Sequence, residues 1–341
     1  MVRVRRAAGN TIRPLEVALM AGMLNRILTA VELTRIAAGF GALCDIWFVT
    51  VLVQLGWRNQ ISDWTVTGLL VELAGALMVA IGLFGYGSVL NDLLDVRHDR
   101  AFSPERPLPA GNIQITQAVI GLVGLLLIAI LGAMLLGRDS VFLTMIVAAA
   151  LMFYNAAGRF IPPVGIVTIG LVYGVHMLIP SYRMPLLLAI WLVMSHVMIL
   201  ALLVHLLEDK RPRISPRGFL GILAGWCCWS AAVLLVRPLR DLPLWPGGDS
   251  SLDLMWPLAA TVLMAFIGWW KIRTAGTGQR ASERLKRYGA AWHAAYAAAW
   301  FAALGMWIPA VGFLIFGLVG FVVMTVAREV SGLGPGRLRF R

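Results

Sequence analysis

Ten apolar runs of close to 20 residues dominate this chain. They fall at 34–56, 65–90, 114–137, 140–157, 162–181, 184–207, 218–236, 254–270, 289–306 and 309–327. A helix of that length crosses a hydrocarbon layer about 30 Å thick. Of the 341 residues, 60% are hydrophobic and only 13% charged, where soluble domains are roughly 45–50% apolar and about 25% charged. That balance excludes disorder and an ordinary soluble domain. The expectation is an all-α, polytopic transmembrane helical bundle, one continuous unit with the lipid bilayer as its solvent.

Charge orients the spans. If all ten cross, 24 of the Lys and Arg residues fall on one side and 5 on the other. Basic residues collect on the cytoplasmic side, so both termini are expected there, in a bacterial-type cytoplasmic membrane. The same topology accounts for the net charge of +12, so nucleic acid is not implied, and nothing asks for an obligate protein partner. Residues 1–32 read as an amphipathic arm on the cytoplasmic interface, with Leu15, Leu19, Met23, Ile27 and Val31 at helical spacing. Glu16, Asn25 and Arg26 break any signal-peptide core. Residues 33–328 form the membrane domain and 329–341 a basic tail. Cys44, Cys227 and Cys228 all lie in apolar runs and make no metal or disulfide framework.

The polar chemistry comes after the second run, in NDLLDVRHDRAFSPERPLPAG. Asp92, Asp95 and Asp99 are spaced i, i+3, i+7, one stripe on a helix, with Asn91 one turn from Asp95. Three carboxylates on one stripe repel each other. A divalent cation removes that repulsion, and an oxygen-only set suits Mg²⁺, which commonly bridges carboxylates to phosphates. A solvated helix end neutralised by Arg97, His98, Arg100 and Arg106 is the plain alternative.

NDLLDVRHD followed by ERPLPAG resembles the first aspartate-rich motif of the UbiA superfamily of intramembrane prenyltransferases. The resemblance implies an all-helical bundle, typically of nine spans, around a central cavity open to the cytoplasmic side. It implies Mg²⁺ held by Asn91, Asp92, Asp95 and Asp99, and a prenyl diphosphate donor whose isoprenoid goes to a lipophilic, often aromatic, acceptor. LTRIAAGFGALCDIW (33–47) is similar to the family's first helix and puts Arg35 at its usual Arg, although Ala38 stands where an Asn is usual. FYNAAGRF (153–160) resembles a tyrosine-plus-basic segment, giving Tyr154 and Arg159 a diphosphate-binding role beside Arg106. GLVYGVHM (170–177) resembles the fifth helix.

The family's second motif, DxxxD, corresponds to HLLEDKRPRISPR (205–217), where the match is poor. Laid on 92–106 as an internal repeat, it sets Asp92 against His205, Asp95 against Glu208 and Asp99 against Pro212. The i, i+4 relation of His205 and Asp209 instead favours Asp209 as the remaining metal ligand, because it keeps the family's spacing. His is a poor Mg²⁺ ligand, so Lys210, Arg211 and Arg213 are alternative direct partners for diphosphate, Arg being suited to phosphate forks. Within the spans, Asp45 either lines a cavity or partners a buried donor, and His176 and His196 read as structural histidines bonded to neighbouring helices. The degraded second motif also motivates another reading, a relative that binds or carries an isoprenoid lipid without turnover. A cation transporter fits poorly, since the stripe lies at a loop edge. The aspartate pattern of CDP-alcohol phosphotransferases fails at Val96, where a Gly is required.

Overall fold

The computed structural model describes residues 39–55, 65–240, 251–276 and 278–332. The N-terminal arm 1–32, Arg35 and most of the tail lie outside the described residues. Among these residues ten α-helices follow one another: α1 (Phe40–Gln54), α2 (Val66–Phe102), α3 (Ile115–Leu136), α4 (Arg138–Ala156), α5 (Pro162–Met177), α6 (Leu187–Leu207), α7 (Pro216–Leu239), α8 (Met255–Ala275), α9 (Gln279–Ala303) and α10 (Trp307–Gly332). Each apolar run has become one helix, and no strand occurs among the described residues. Among the described residues, seven helical segments are long and apolar enough to cross a membrane, and α1 and α5 are shorter apolar helices.

The outward faces of α3, α4, α7, α8 and α10 carry exposed Leu, Ile, Val, Phe and Trp. In lipid these cost nothing, and they contribute nothing to helix association. Association there depends on close packing, which small residues permit. The α2–α3 contact shows how. Gly75 and Gly82 of α2 meet Gly132 and Ala129 of α3, and a Cβ on Gly82 would lie 2.6 Å from both Leu125 O and Ala129 N. No larger residue fits there.

Helix α9 is the exception to the apolar pattern. It begins with Arg280, Glu283, Arg284, Lys286 and Arg287, then becomes alanine-rich. It packs against α1, α6, α8 and α10, so its alanines face neighbouring helices instead of lipid. Ala294, Ala297, Ala298 and Phe301 are buried. One polar tie joins it to α1: His293 Nδ1 donates to Asp45 Oδ2 at 2.8 Å, both groups inside the bundle. Asp45 is thus the partner of a buried donor.

Helix α2 positions the site. Its 37 residues make it about 55 Å long at 1.5 Å per residue, well beyond the roughly 20 residues a bilayer requires. Thr65 caps its start, accepting from Gly68 N at 3.0 Å. The apolar run ends at residue 90. The helix instead continues for three more turns, to Phe102, and carries the acidic stripe on that extension.

Candidate active site at the end of α2

Because α2 stays helical through Phe102, Asp92, Asp95 and Asp99 do share a face. Asp92 and Asp99 are buried, at 8% and 4% exposure. Asn91 Nδ2 sits between two of the carboxylates, 3.3 Å from Asp92 Oδ1 and 3.2 Å from Asp95 Oδ2. Two arginines close over the stripe. Arg159, on the short 3₁₀ turn Gly158–Phe160 between α4 and α5, grips Asp95 with both terminal nitrogens: Nη1 donates to Oδ2 at 2.7 Å and Nη2 to Oδ1. The same Nη1 reaches Asn91 Oδ1 at 2.6 Å. Arg106, from the segment after α2, donates to Asp99 Oδ2 at 2.7 Å and stands 4.0 Å from Asp92. His98 Nδ1 lies 3.8 Å from Asp99 on the exposed side.

The backbone fixes these partners. Asn155 Nδ2 donates to Gly87 O at 3.3 Å and Leu151 O at 2.9 Å, tying the last turn of α4 to α2. Tyr154 is half-buried on that same turn. Pro162 and Pro163 open α5 immediately after the 3₁₀ turn, where proline's fixed φ is pre-organised for a helix start. Arg159 Nε is shielded from solvent and has no hydrogen-bond partner among the described residues.

The oxygen donors suit Mg²⁺ in kind: Asn91 and three carboxylates, all hard ligands. As arranged, however, no group of three His, Cys, Asp or Glu side chains among the described residues is set to hold a metal ion. The carboxylates instead face guanidinium groups, Asp95 that of Arg159 and Asp99 that of Arg106.

The second loop is built differently. Helix α6 stops at Leu207. Asp209 follows at φ +46°, with Asp209 N bonded to Leu206 O and Lys210 N to His205 O. This is the reverse turn that closes a helix C-terminus through a left-handed residue. It takes Asp209 off the face of His205, so the i, i+4 pairing expected from the sequence does not form. Asp209 is exposed and paired with Arg213, Oδ1 to Nε and Oδ2 to Nη2, each at 3.0 Å. Arg213's hydrogen bonds and charge lower the Asp209 carboxyl. His205 Nε2 turns to Pro212 O at 3.1 Å. Lys210 and Arg211 are exposed.

Glu208 is the anchored member of this loop. Its Oε1 accepts from Ser282 Oγ and from Lys286 Nζ at 2.6 Å, both on α9, and Lys210 Nζ lies 3.0 Å from Oε2. Partial burial pushes the carboxyl up, but those hydrogen bonds and the nearby lysine charges outweigh it and hold it at about 2. Ser282 and Lys286 carry no motif that marks them in the sequence. Nor does His293, whose partner lies 248 positions away.

A cavity of about 1070 Å³ lies apart from the acidic stripe, among α6, α7, α8 and α9. No Lys, Arg, Asp or Glu lines it. His196 reaches its wall, with Nε2 to Gly289 O at 3.3 Å and Nδ1 accepting from Tyr296 O–H at 3.3 Å, so it does bond to a neighbouring helix. His176 does not: both its ring nitrogens are buried without a partner among the described residues.

Comparison with known proteins places the chain in a family. Sequence relatives include the digeranylgeranylglyceryl phosphate synthases of Sulfurisphaera tokodaii, 28% identical over 123 residues (36% of this chain, 41% of the relative), and of Saccharolobus solfataricus, 33% identical over 87 residues (25% and 31%). The chain thus matches less than half the length of either. A solved structure concerning digeranylgeranylglyceryl phosphate synthase superposes with a TM-score of 0.51 at 16% identity, over 82% of this chain and 99% of the other. A UbiA homologue from Archaeoglobus fulgidus bound to GPP and Mg²⁺ gives 0.41 at 12% identity, over 86% and 99%. The model of the UbiA prenyltransferase family matches residues 45–288, which take in α2, both polar loops and the first turns of α9. The chain belongs to the UbiA prenyltransferase family.

Proposed function

We propose that this protein is a membrane-embedded, Mg²⁺-dependent prenyltransferase that moves an isoprenoid chain from a prenyl diphosphate to a lipophilic acceptor. The observation that carries the reading is the paired arginine–carboxylate arrangement on the extension of α2. Three aligned carboxylates, two arginines from other segments and an amide between them are the groups needed to take up a metal–diphosphate.

Asn91, Asp92, Asp95 and Asp99 would hold the ion. Mg²⁺, when bound, neutralises charge on the leaving diphosphate. The chain's own part is electrostatic and positional. Arg159 and Arg106 offer forked donors to phosphate oxygens, matched to the charge that builds as the allylic C–O bond breaks. Tyr154, five residues before Arg159, would orient the diphosphate, and Arg35 is a further candidate. Lys210, Arg211 and Arg213, with His205, Glu208 and Asp209, form the second polar loop, which we place on the same cytoplasmic side. Apolar helices around the site would exclude water from the electron-poor allylic carbon.

The test is incubation of purified protein in bilayers with labelled prenyl diphosphates, Mg²⁺ and a panel of phenolic, naphthoic and glyceryl phosphate acceptors. Mg²⁺-dependent label in a lipid product supports the enzyme, and the acceptor that takes it names the substrate class. Tight binding of the isoprenoid with no transfer to any acceptor, and no diphosphate release, would make the protein a carrier instead.

A further inference from the structure

Arg159 and Arg106 occupy the carboxylates that a metal would need. The stripe carries three negative charges and the two arginines return two, so the cluster without ligands keeps a single net negative charge. A divalent cation arriving alone must pull Asp95 or Asp99 away from its guanidinium. That leaves an arginine without a counter-ion, and the Arg159 side chain is only 16% exposed. Breaking a largely shielded ion pair is costly. A diphosphate changes the balance. It brings oxygens with the same forked geometry as a carboxylate, so each arginine released by the metal has a new partner. The shielded Arg159 Nε, without a partner in the resting arrangement among the described residues, gains an acceptor in that exchange.

We infer that Arg159, with Arg106, is an internal counter-cation that excludes metal from the stripe until a diphosphate arrives, and then transfers from carboxylate to phosphate. This rests on the prenyltransferase reading and adds a rule to it: metal and diphosphate bind as a coupled pair. Coupling of this kind is reciprocal, each ligand raising the other's affinity by one common factor, typically 5–150-fold. The exchange makes an unusual prediction for one substitution. Arg159→Gln frees Asp95, so metal alone binds more tightly, while diphosphate loses its fork and the coupling shrinks.

The experiment uses the full chain in detergent or nanodiscs. Bound Mn²⁺, a paramagnetic stand-in for Mg²⁺, is read by electron paramagnetic resonance at buffered free metal, with and without inorganic pyrophosphate. The wild type should bind Mn²⁺ weakly alone and at least about 10-fold more tightly with pyrophosphate. Arg159→Gln should bind Mn²⁺ alone several-fold more tightly than the wild type and show little gain with pyrophosphate. Arg159→Lys, which keeps the charge but loses the fork, should fall between. If Arg159→Gln does not fold, Arg106→Gln, on a side chain 39% exposed, carries the same test at Asp99. A variant with unchanged Mn²⁺ affinity and unchanged pyrophosphate gain overturns the inference and makes the arginine a structural tie. If the wild type binds no Mn²⁺ even with pyrophosphate, the metal-dependent reading falls too, so the two failures are distinguishable.

Discussion

The ends of α2 and α6 carry similar side chains and have opposite designs. At the end of α2 the helix runs on for three turns past the apolar run, so carboxylates at i, i+3 and i+7 stay on one buried face. Their counter-charges come from elsewhere: Arg106 from the following segment, and Arg159 from a turn 64 positions away. At the end of α6 the helix halts at Leu207, and the left-handed Asp209 sends neighbouring carboxylates in different directions. Glu208 goes to lysines and a serine, and Asp209 to Arg213 four residues on, in solvent. Aligned as a repeat, Asp95 and Glu208 correspond. In space one belongs to a cluster shaped for exchange, and the other fastens two helices. What separates them is where the backbone stops being helical.

Substitutions put that contrast to the test. The largest effect is expected at the α2 stripe. Asp95→Ala removes a candidate ligand and leaves Arg159 without its counter-ion. Mg²⁺-dependent diphosphate release should fall by on the order of 100-fold or more, with a stability loss of about 2 kcal/mol, below the range for fully buried pairs. Wild-type turnover in this variant would remove the stripe from the mechanism.

Arg159→Gln should act next most strongly, raising KM for the prenyl diphosphate by roughly 10- to 100-fold through loss of a charged, forked contact. Steady-state kinetics against the donor, at saturating acceptor, reads this directly. An effect on kcat alone would place Arg159 outside donor binding.

A smaller effect with a distinct pH signature is expected at Glu208. Its carboxyl is held at about 2 in the folded chain, against 4.5 for an ordinary glutamate. A lowered carboxyl stabilises the fold above the unfolded value, and that contribution is lost as pH falls through the folded one. Thermal unfolding of the wild type should therefore weaken between about pH 4.5 and pH 2 relative to Glu208→Gln, and the two curves should converge at the acid end. Parallel curves would mean that the Lys286 and Ser282 contacts do not persist in solution.

The smallest effect belongs to the exposed pair. Arg213→Gln or Asp209→Asn should leave unfolding and turnover within experimental error, because exposed ion pairs contribute little and are screened by salt. A loss of turnover comparable to that of Asp95→Ala would instead bring the second loop into the catalytic machinery, and would favour Asp209 as a ligand after all.

Part of this molecule is written locally in the chain. Runs of apolar residues became helices because lipid leaves the backbone no partner but itself. The aspartate stripe was legible because a three-and-four spacing puts side chains on one helical face whatever surrounds it. The resemblance added Tyr154 and Arg159, and the structure sets Tyr154 on the last turn of α4 and Arg159 on the 3₁₀ turn that follows, against Asp95 of α2. The rest belongs to the tertiary structure. The clamp of Arg159 on Asp95, the Glu208–Lys286 tie and the Asp45–His293 pair join residues 64, 78 and 248 positions apart, and no periodicity encodes such distances. Helix α9 starts with charged turns ahead of its apolar run. It lies among other helices, where small residues and paired charges replace lipid contact. Asp209 is the sharpest case. Its spacing from His205 was right for a shared face, but a spacing is a face only while the helix lasts, and one left-handed residue ended it.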